Sequence, residues 1–243
     1  MPNLAYNLAE VAKPLNLTGD VVANIYLGKI TKWNAPEIVA LNKGVALPNK
    51  DILVVHRTDG SGTTYIFSDY LASASAAWKS GPGRGKELQW PVGLGGAKND
   101  GVTAQVKQTP GAIGYVELAY ARQNKLPVAA IRNAAGAFVA PSIESITAAG
   151  AGMASKLPPT SDLRASMVNA PGKDAYPISA MTFILIYQQQ SDPTKGKKLI
   201  DFLKWAIHDG QASAATLDYA PLPKNVVAML DKRLATVKMV ASK

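Results

Sequence analysis

Apolar positions along this chain alternate between short runs and four-residue repeats, which predicts strands followed by helices. Ile52-Leu53-Val54-Val55, after the polar Asn49-Lys50-Asp51, is a short strand-forming run. Ile66, Tyr70, Ala74 and Trp78 then recur at helical spacing, with Phe67 and Leu71 on the same face. Upstream, Thr18 precedes Val21, Val22, Ile25 and Tyr26 as the cap of a short helix that stops at Gly28. A second short helix is expected with Asn34 as cap, Pro36 early, and Ile38 and Leu41 facing inward. Trp33, just before it, reads as core or lobe surface rather than a ligand contact.

Downstream, Asn99 or Asp100 starts a helix through Val102 and Val106. Pro110-Gly111 then turns the chain into a strand ending near Val116, followed by a short helix from Glu117 to Asn124. Val128 to Ile131 is another strand, and Pro141-Ser142 opens an Ala-rich helix. Residues 79–86, 156–161 and 171–174 read as loops from their Gly, Pro and Ser content. The apolar run Met181 to Tyr187 predicts one more strand. Helices from about Thr194 to His208 and near Asn225 to Leu234 complete the chain. Short strands alternating with helices indicate an α/β fold.

The chemistry concentrates between the first long strand and its helix, in Arg57-Thr58-Asp59-Gly60-Ser61-Gly62-Thr63-Thr64. Gly60 and Gly62 permit a sharp turn and leave space for a ligand. The helix start offers free N–H groups, the positive end of its dipole, and the hydroxyls of Ser61, Thr63 and Thr64. Arg57 adds a planar, permanently charged fork, with Asp59 as the partner that holds it. Together these suit a tetrahedral oxyanion. The plainer reading makes Ser61 a helix cap and Arg57 a solvated charge. Two sharper motifs fail: a phosphate-binding Walker A loop needs lysine where Gly62 stands, and a nucleophile elbow needs glycines where Asp59 and Thr63 stand. Gly93 to Gly96 could form another anion-cradling nest.

Composition narrows the classes. An apolar share of 47% with 18% charged residues describes a folded globular chain. The absence of cysteine removes disulfides, thiolate metal sites and cysteine nucleophiles. His56 and His208 are the only histidines, so a multi-histidine metal site is not expected, nor is a cofactor. A net charge of +9 suits an anionic partner. The basic residues are scattered, without the clustered patch of a nucleic-acid binder, so no nucleic acid is expected. No stretch reaches the ~18 apolar residues of a membrane span, and Met1 to Leu17 lacks the pattern of a signal peptide. An enzyme is the weakest reading, because no metal cluster accompanies the hydroxyls and His56 alternates away from Arg57 along the strand.

The Arg57–Thr64 segment resembles that of the phosphate-binding protein of bacterial phosphate ABC transporters, the PstS family of periplasmic substrate-binding proteins. The resemblance extends through Asn24 to Asn34, Trp90 to Gly96 with Asn99-Asp100-Gly101, Pro110 to Glu117, Tyr176 to Ser179, Thr182 to Ile186 and Leu217 to Pro223. These blocks come in the family's order across nearly the whole chain. The resemblance implies a periplasmic-binding-protein-like (type II) two-lobe architecture with one lobe near complete and the other truncated. Residues 1–8 would be the crossover between lobes, 9–178 the ligand-binding α/β lobe, and 179–243 a remnant of the first lobe. The family's Gly-rich first turn and its acceptor aspartate would precede this chain's first residue.

By that resemblance Arg57, Ser61, Gly62 and Thr63 bind phosphate, Asp59 orients Arg57, and the N–H and O–H groups of Ser61 and Thr63 with the N–H of Gly62 are donors. The implied function is capture of inorganic phosphate for a membrane permease of an ABC import system, at a periplasmic or cell-surface location. A second chain or fragment could complete the first lobe. The alternative is a truncated or split lobe that serves as an interaction module without independent phosphate transport.

Overall fold

A computed structural model describes residues 1–158 and 160–240, so position 159 of the predicted 156–161 loop lies outside the described residues, as do 241–243. The first half runs β1 (Pro2–Tyr6), β2 (Asn16–Leu17), α1 (Gly19–Tyr26), α2 (Pro36–Leu41), β3 (Leu53–Arg57), α3 (Gly62–Ala74) and α4 (Ala76–Ser80). It continues with β4 (Leu94–Gly96), α5 (Lys98–Gln108), β5 (Ala112–Glu117) and α6 (Leu118–Gln123). Then come β6 (Ala130–Arg132), β7 (Phe138–Val139), α7 (Ile143–Ala154), β8 (Gln189–Gln190), α8 (Pro193–Ile207), α9 (Lys224–Leu234) and β9 (Lys238–Met239).

The principal sheet has the order β1-β5-β3-β4. Strand β3 runs parallel to both neighbours, with Val54 opposite Ile113 and Arg57 opposite Gly96, while β1 lies antiparallel to β5. Successive residues of β3 are buried on opposite faces, which explains its unbroken apolar run. Val54 joins a core with Tyr26, Phe67 and Trp78, whereas Val55 joins Val102, Val106 and Val116 against α5. Gly114 in β5 permits that second contact, because a Cβ there would lie 2.8 Å from Val106 and 2.9 Å from Val102 side-chain carbons. Aromatic rings fill the first core: Phe67 stacks on Tyr115 with centroids 4.5 Å apart and meets Tyr26 edge-on at 4.9 Å. Trp33 is fully buried beside them and donates from Nε1 to the Gly111 carbonyl at 2.9 Å.

The sheet delivers the Arg57 end of β3 to the start of α3, which is the usual place for a ligand in an α/β layer. Thr18 caps α1, accepting from the Val21 N–H, and Ser142 forms a capping box on α7 with Ser145.

Four sequence expectations are corrected. The cap of α2 is Ala35 and makes no side-chain bond, since Pro36 at the first turn already sets the entry of the chain. Helix α3 ends at Ala74 because Ser75 takes an extended conformation, and Trp78 reaches the core from the separate α4. Helix α5 begins at Lys98, just ahead of Asn99. Residues 181–187 form no strand: no described strand lies alongside them, and an extended run without a pairing partner has no ladder to hold it. Phe183, Ile184, Leu185 and Tyr187 are consequently exposed, as are Phe202 and Trp205 on α8. Helix α9 is better anchored, with Val226 fully buried against Ala154 and Leu163.

Candidate functional site

The site is built where β3 gives way to α3. Arg57 is the last residue of β3, and its backbone N–H donates to the Tyr115 hydroxyl at 3.1 Å. Its side chain is only 8% exposed and meets Asp59 through both Nε (to Oδ1, 2.7 Å) and Nη2 (to Oδ2, 2.5 Å). Asp59 Oδ1 also accepts the Lys98 backbone N–H at 3.0 Å, which ties the pair to the start of α5. The bonds from Arg57, reinforced by Lys98, hold the Asp59 carboxyl well below the usual carboxylate range, and Asp59 in turn raises the Arg57 guanidinium. Nη1 of Arg57 is left without a protein partner among the described residues.

Ser61 caps α3, its Oγ accepting from the N–H groups of Thr63 (3.1 Å) and Thr64 (3.3 Å), while its own N–H donates to the Lys86 carbonyl at 3.0 Å. This corrects the expected donor set. Lys86 O takes the Ser61 N–H, Ser61 Oγ takes the Thr63 N–H and Glu117 takes the Thr63 hydroxyl, so Gly62 N–H, Ser61 O–H and Arg57 Nη1 are left without a protein acceptor among the described residues. A Cβ on Gly62 would meet nothing within 4 Å, which shows how open the helix start is.

Arg57, Ser61, Gly62 and Thr63 line one cleft of about 410 Å³, together with Ile66, Asn99, Glu117 and Tyr219. Asp59 does not line that cleft; it lies behind Arg57, beside His56 and Trp90 in a neighbouring depression. His56 stacks on Trp90 with centroids 4.9 Å apart and is absent from the Arg57 cleft. Thr64 turns inward and exchanges a 2.8 Å hydrogen bond with the Tyr115 hydroxyl. Burial pushes the Tyr115 phenol up to about 12, so it remains a neutral hydroxyl at the junction of strand and helix. Leu94–Gly96 form β4, where Gly95 O accepts from Gln105 and Gly96 O from the Thr58 N–H, and Gly93–Gly96 do not line the Arg57 cleft.

Sequence reasoning missed Glu117, Tyr115 and Lys98. Glu117 ends β5, which is parallel to β3, so its side chain emerges at the same edge of the sheet as Arg57. There its Oε1 accepts the Thr63 hydroxyl at 3.1 Å. The signal available was the position of Glu117 at a strand's C-terminal end.

A mixed α/β sheet with an arginine and a capped helix start around an open cleft has the build of a solute-binding domain, and a family model described as a PBP superfamily domain matches residues 4–209. The phosphate-binding protein PstS of Xylella fastidiosa (strain 9a5c) is 47% identical over 217 residues, covering 89% of this chain and 59% of that protein. PstS of Haemophilus influenzae (strain Rd) is 44% identical over 232 residues, covering 95% of this chain and 69% of that one. The chain belongs to the PstS family of phosphate-binding proteins. It spans 59% of the length of the Xylella relative. The fold is that of solved relatives: a high affinity periplasmic phosphate-binding protein (PfluDING) bound with phosphate superposes with a TM-score of 0.62 at 17% identity, over 96% of this chain and 68% of that one.

Proposed function

We propose that this chain binds inorganic phosphate as part of the substrate-binding component of an ABC import system, with Arg57, Ser61, Gly62 and Thr63 around the anion and Asp59 behind Arg57. The observation that carries the reading is the Arg57 guanidinium: two of its nitrogens are fixed by Asp59, and it lines the cleft at the α3 start with Nη1 unpaired among the described residues. Asp59 thus orients the cation without occupying the ligand's place. A phosphate oxygen can take Nη1 while others take the Gly62 N–H and the Ser61 hydroxyl, each charge-assisted bond contributing about 1.5–3 kcal/mol. The relatives' printed name, phosphate-binding protein, supports phosphate as the anion.

The role is capture and release rather than chemistry. In this reading residues 1–8 cross between lobes, 9–178 form the ligand-binding lobe, and 179–243 belong with the first lobe. A membrane permease receives the phosphate, and the protein works in the periplasm or at the cell surface. A chain or fragment that completes the first lobe would cover the exposed side chains at 183–187. With only these donors the expected affinity is weak, on the order of millimolar, or about −4 kcal/mol.

Calorimetric titration with phosphate, beside an Arg57→Ala control, tests the reading. Saturable heat that disappears in the control is expected. An absence of phosphate binding, or binding indifferent to the substitution, would overturn it.

A further inference from the structure

Beside the Arg57 cleft lies a second one of about 500 Å³, and the two share Gly62, Ile66 and Met181. An anion seated at the α3 start therefore has a further space next to it, lined by Tyr65, Ile66 and Met167 with Arg84, Lys86 and Arg164. Two of these cations are already held. Arg84 Nη1 donates to Asp69 Oδ1 at 3.2 Å, and Arg164 Nε to Asp162 Oδ2 at 2.6 Å. Asp69 is the one carboxylate lining this cleft among the described residues, and its other oxygen accepts the Ser166 hydroxyl at 3.0 Å. Lys86 differs. Its carbonyl accepts the Ser61 N–H, which fixes its backbone beside the helix start, while its ammonium has no acceptor among the described residues.

We propose that this chain also takes a phosphate monoester whose organic part carries a second acidic group, the phosphoryl group at the α3 start and the organic part in the second cleft against Tyr65 and Lys86. The proposal rests on the phosphate reading above and widens its ligand class. A monoester keeps three terminal oxygens. The three groups free at this corner are Arg57 Nη1, the Gly62 N–H and the Ser61 hydroxyl, so each oxygen has a donor. The ester oxygen needs none, and the substituent it carries can leave through the open side of the helix start, where even a Cβ on Gly62 would meet nothing within 4 Å. Tyr65 and Met167 then offer apolar surface to the organic part, and Lys86 a charge-assisted bond to its carboxylate. Three basic side chains against one carboxylate make this cleft complementary to an acid. In the first cleft Glu117 and the Met1 ammonium attract each other, which leaves the charge at the phosphoryl corner to Arg57.

The test is calorimetric titration with inorganic phosphate, glycerol 3-phosphate and 3-phosphoglycerate in mildly alkaline buffer, where all three phosphoryl groups carry two negative charges. Glycerol 3-phosphate should bind about as well as phosphate, and 3-phosphoglycerate, which adds the carboxylate, about tenfold more tightly. Lys86→Gln should remove that tenfold gain and shift phosphate itself by less than about threefold, since an exposed charge acts on it only through screened solvent. Lys43→Gln removes the same charge from outside both clefts and should keep the gain. A chain that binds phosphate but excludes both esters, or that gains nothing from the carboxylate, overturns the proposal and leaves the phosphate reading intact. So does a gain that survives Lys86→Gln or is lost equally in Lys43→Gln. A chain that binds none of the three overturns both.

Discussion

Arg57 and Asp59 stand two positions apart and face each other across the β3–α3 turn as a bidentate pair, Nε to Oδ1 at 2.7 Å and Nη2 to Oδ2 at 2.5 Å. The pair makes a rigid cation from groups that would otherwise be mobile, and it leaves the third guanidinium nitrogen for a ligand. Its carboxyl is held below its ordinary value, chiefly by Arg57. A depressed folded-state value means that Asp59 contributes stability above the unfolded carboxylate range and loses it as pH falls through the folded value. The contribution is therefore constant from weakly acid to neutral pH and disappears only in strong acid. Asp59→Asn should flatten the acid limb of a plot of melting temperature against pH and leave the neutral-to-alkaline limb unchanged in shape. With the Asp59 side chain 37% exposed, the pair is expected to contribute at most about 1 kcal/mol. The same variant should weaken phosphate binding without removing it, since the guanidinium persists but loses its anchor.

Ser61 does two jobs that a substitution can separate. As the cap of α3 it accepts two N–H groups, and as a hydroxyl it still has a hydrogen for the cleft. Ser61→Ala should cost about 1 kcal/mol in chemical denaturation, whereas Ser61→Gly should cost only a few tenths, about 0.3 kcal/mol. Both should lower phosphate affinity in calorimetry, because neither retains the donor. If Ser61→Gly kept full affinity, the hydroxyl would be a cap alone.

Tyr115 joins the two halves of the site from beneath, taking the Arg57 N–H and pairing with Thr64. Tyr115→Phe keeps the ring that stacks on Phe67 but strips the hydroxyl from two buried partners. The loss should be about 1–3 kcal/mol, read from urea unfolding, with no change in the denaturant slope.

What the chain makes legible is local. The β3 run, the period of α3 and the donors of the Arg57–Thr64 turn all lie within one short stretch, so their spacing reports their geometry. Glu117 and Lys98 reach the site through strand order and helix placement; the strand end at Glu117 marks its edge of the sheet, but no local pattern marks the two as partners of Thr63 and Asp59. The donors assigned to Ser61 and Thr63 failed for a related reason: the capping geometry of the turn spends those N–H groups on Ser61 Oγ and Lys86 O. Trp78 continued the helical period in sequence, yet the chain breaks at Ser75 and buries the ring through a new helix, because the period records which face is apolar rather than whether the backbone is continuous.

The segment 181–187 presents the reverse case, a strongly strand-forming run without a strand. Strand propensity measures fit to a pleated, half-buried surface, and residues 181–187 join none of the described sheets. Leu185 is 90% exposed and Tyr187 85%, so both side chains lose little by substitution in the monomer. Leu185→Ser should therefore leave unfolding within about 0.5 kcal/mol of wild type. Exposed apolar side chains close together in sequence favour association, which the same change should reduce. Sedimentation velocity over a concentration series would read the difference. A large loss of stability in Leu185→Ser would mean that the leucine is packed in solution, and association indifferent to the change would place the sticky surface elsewhere, with Phe202 and Trp205 on α8 the next residues to substitute.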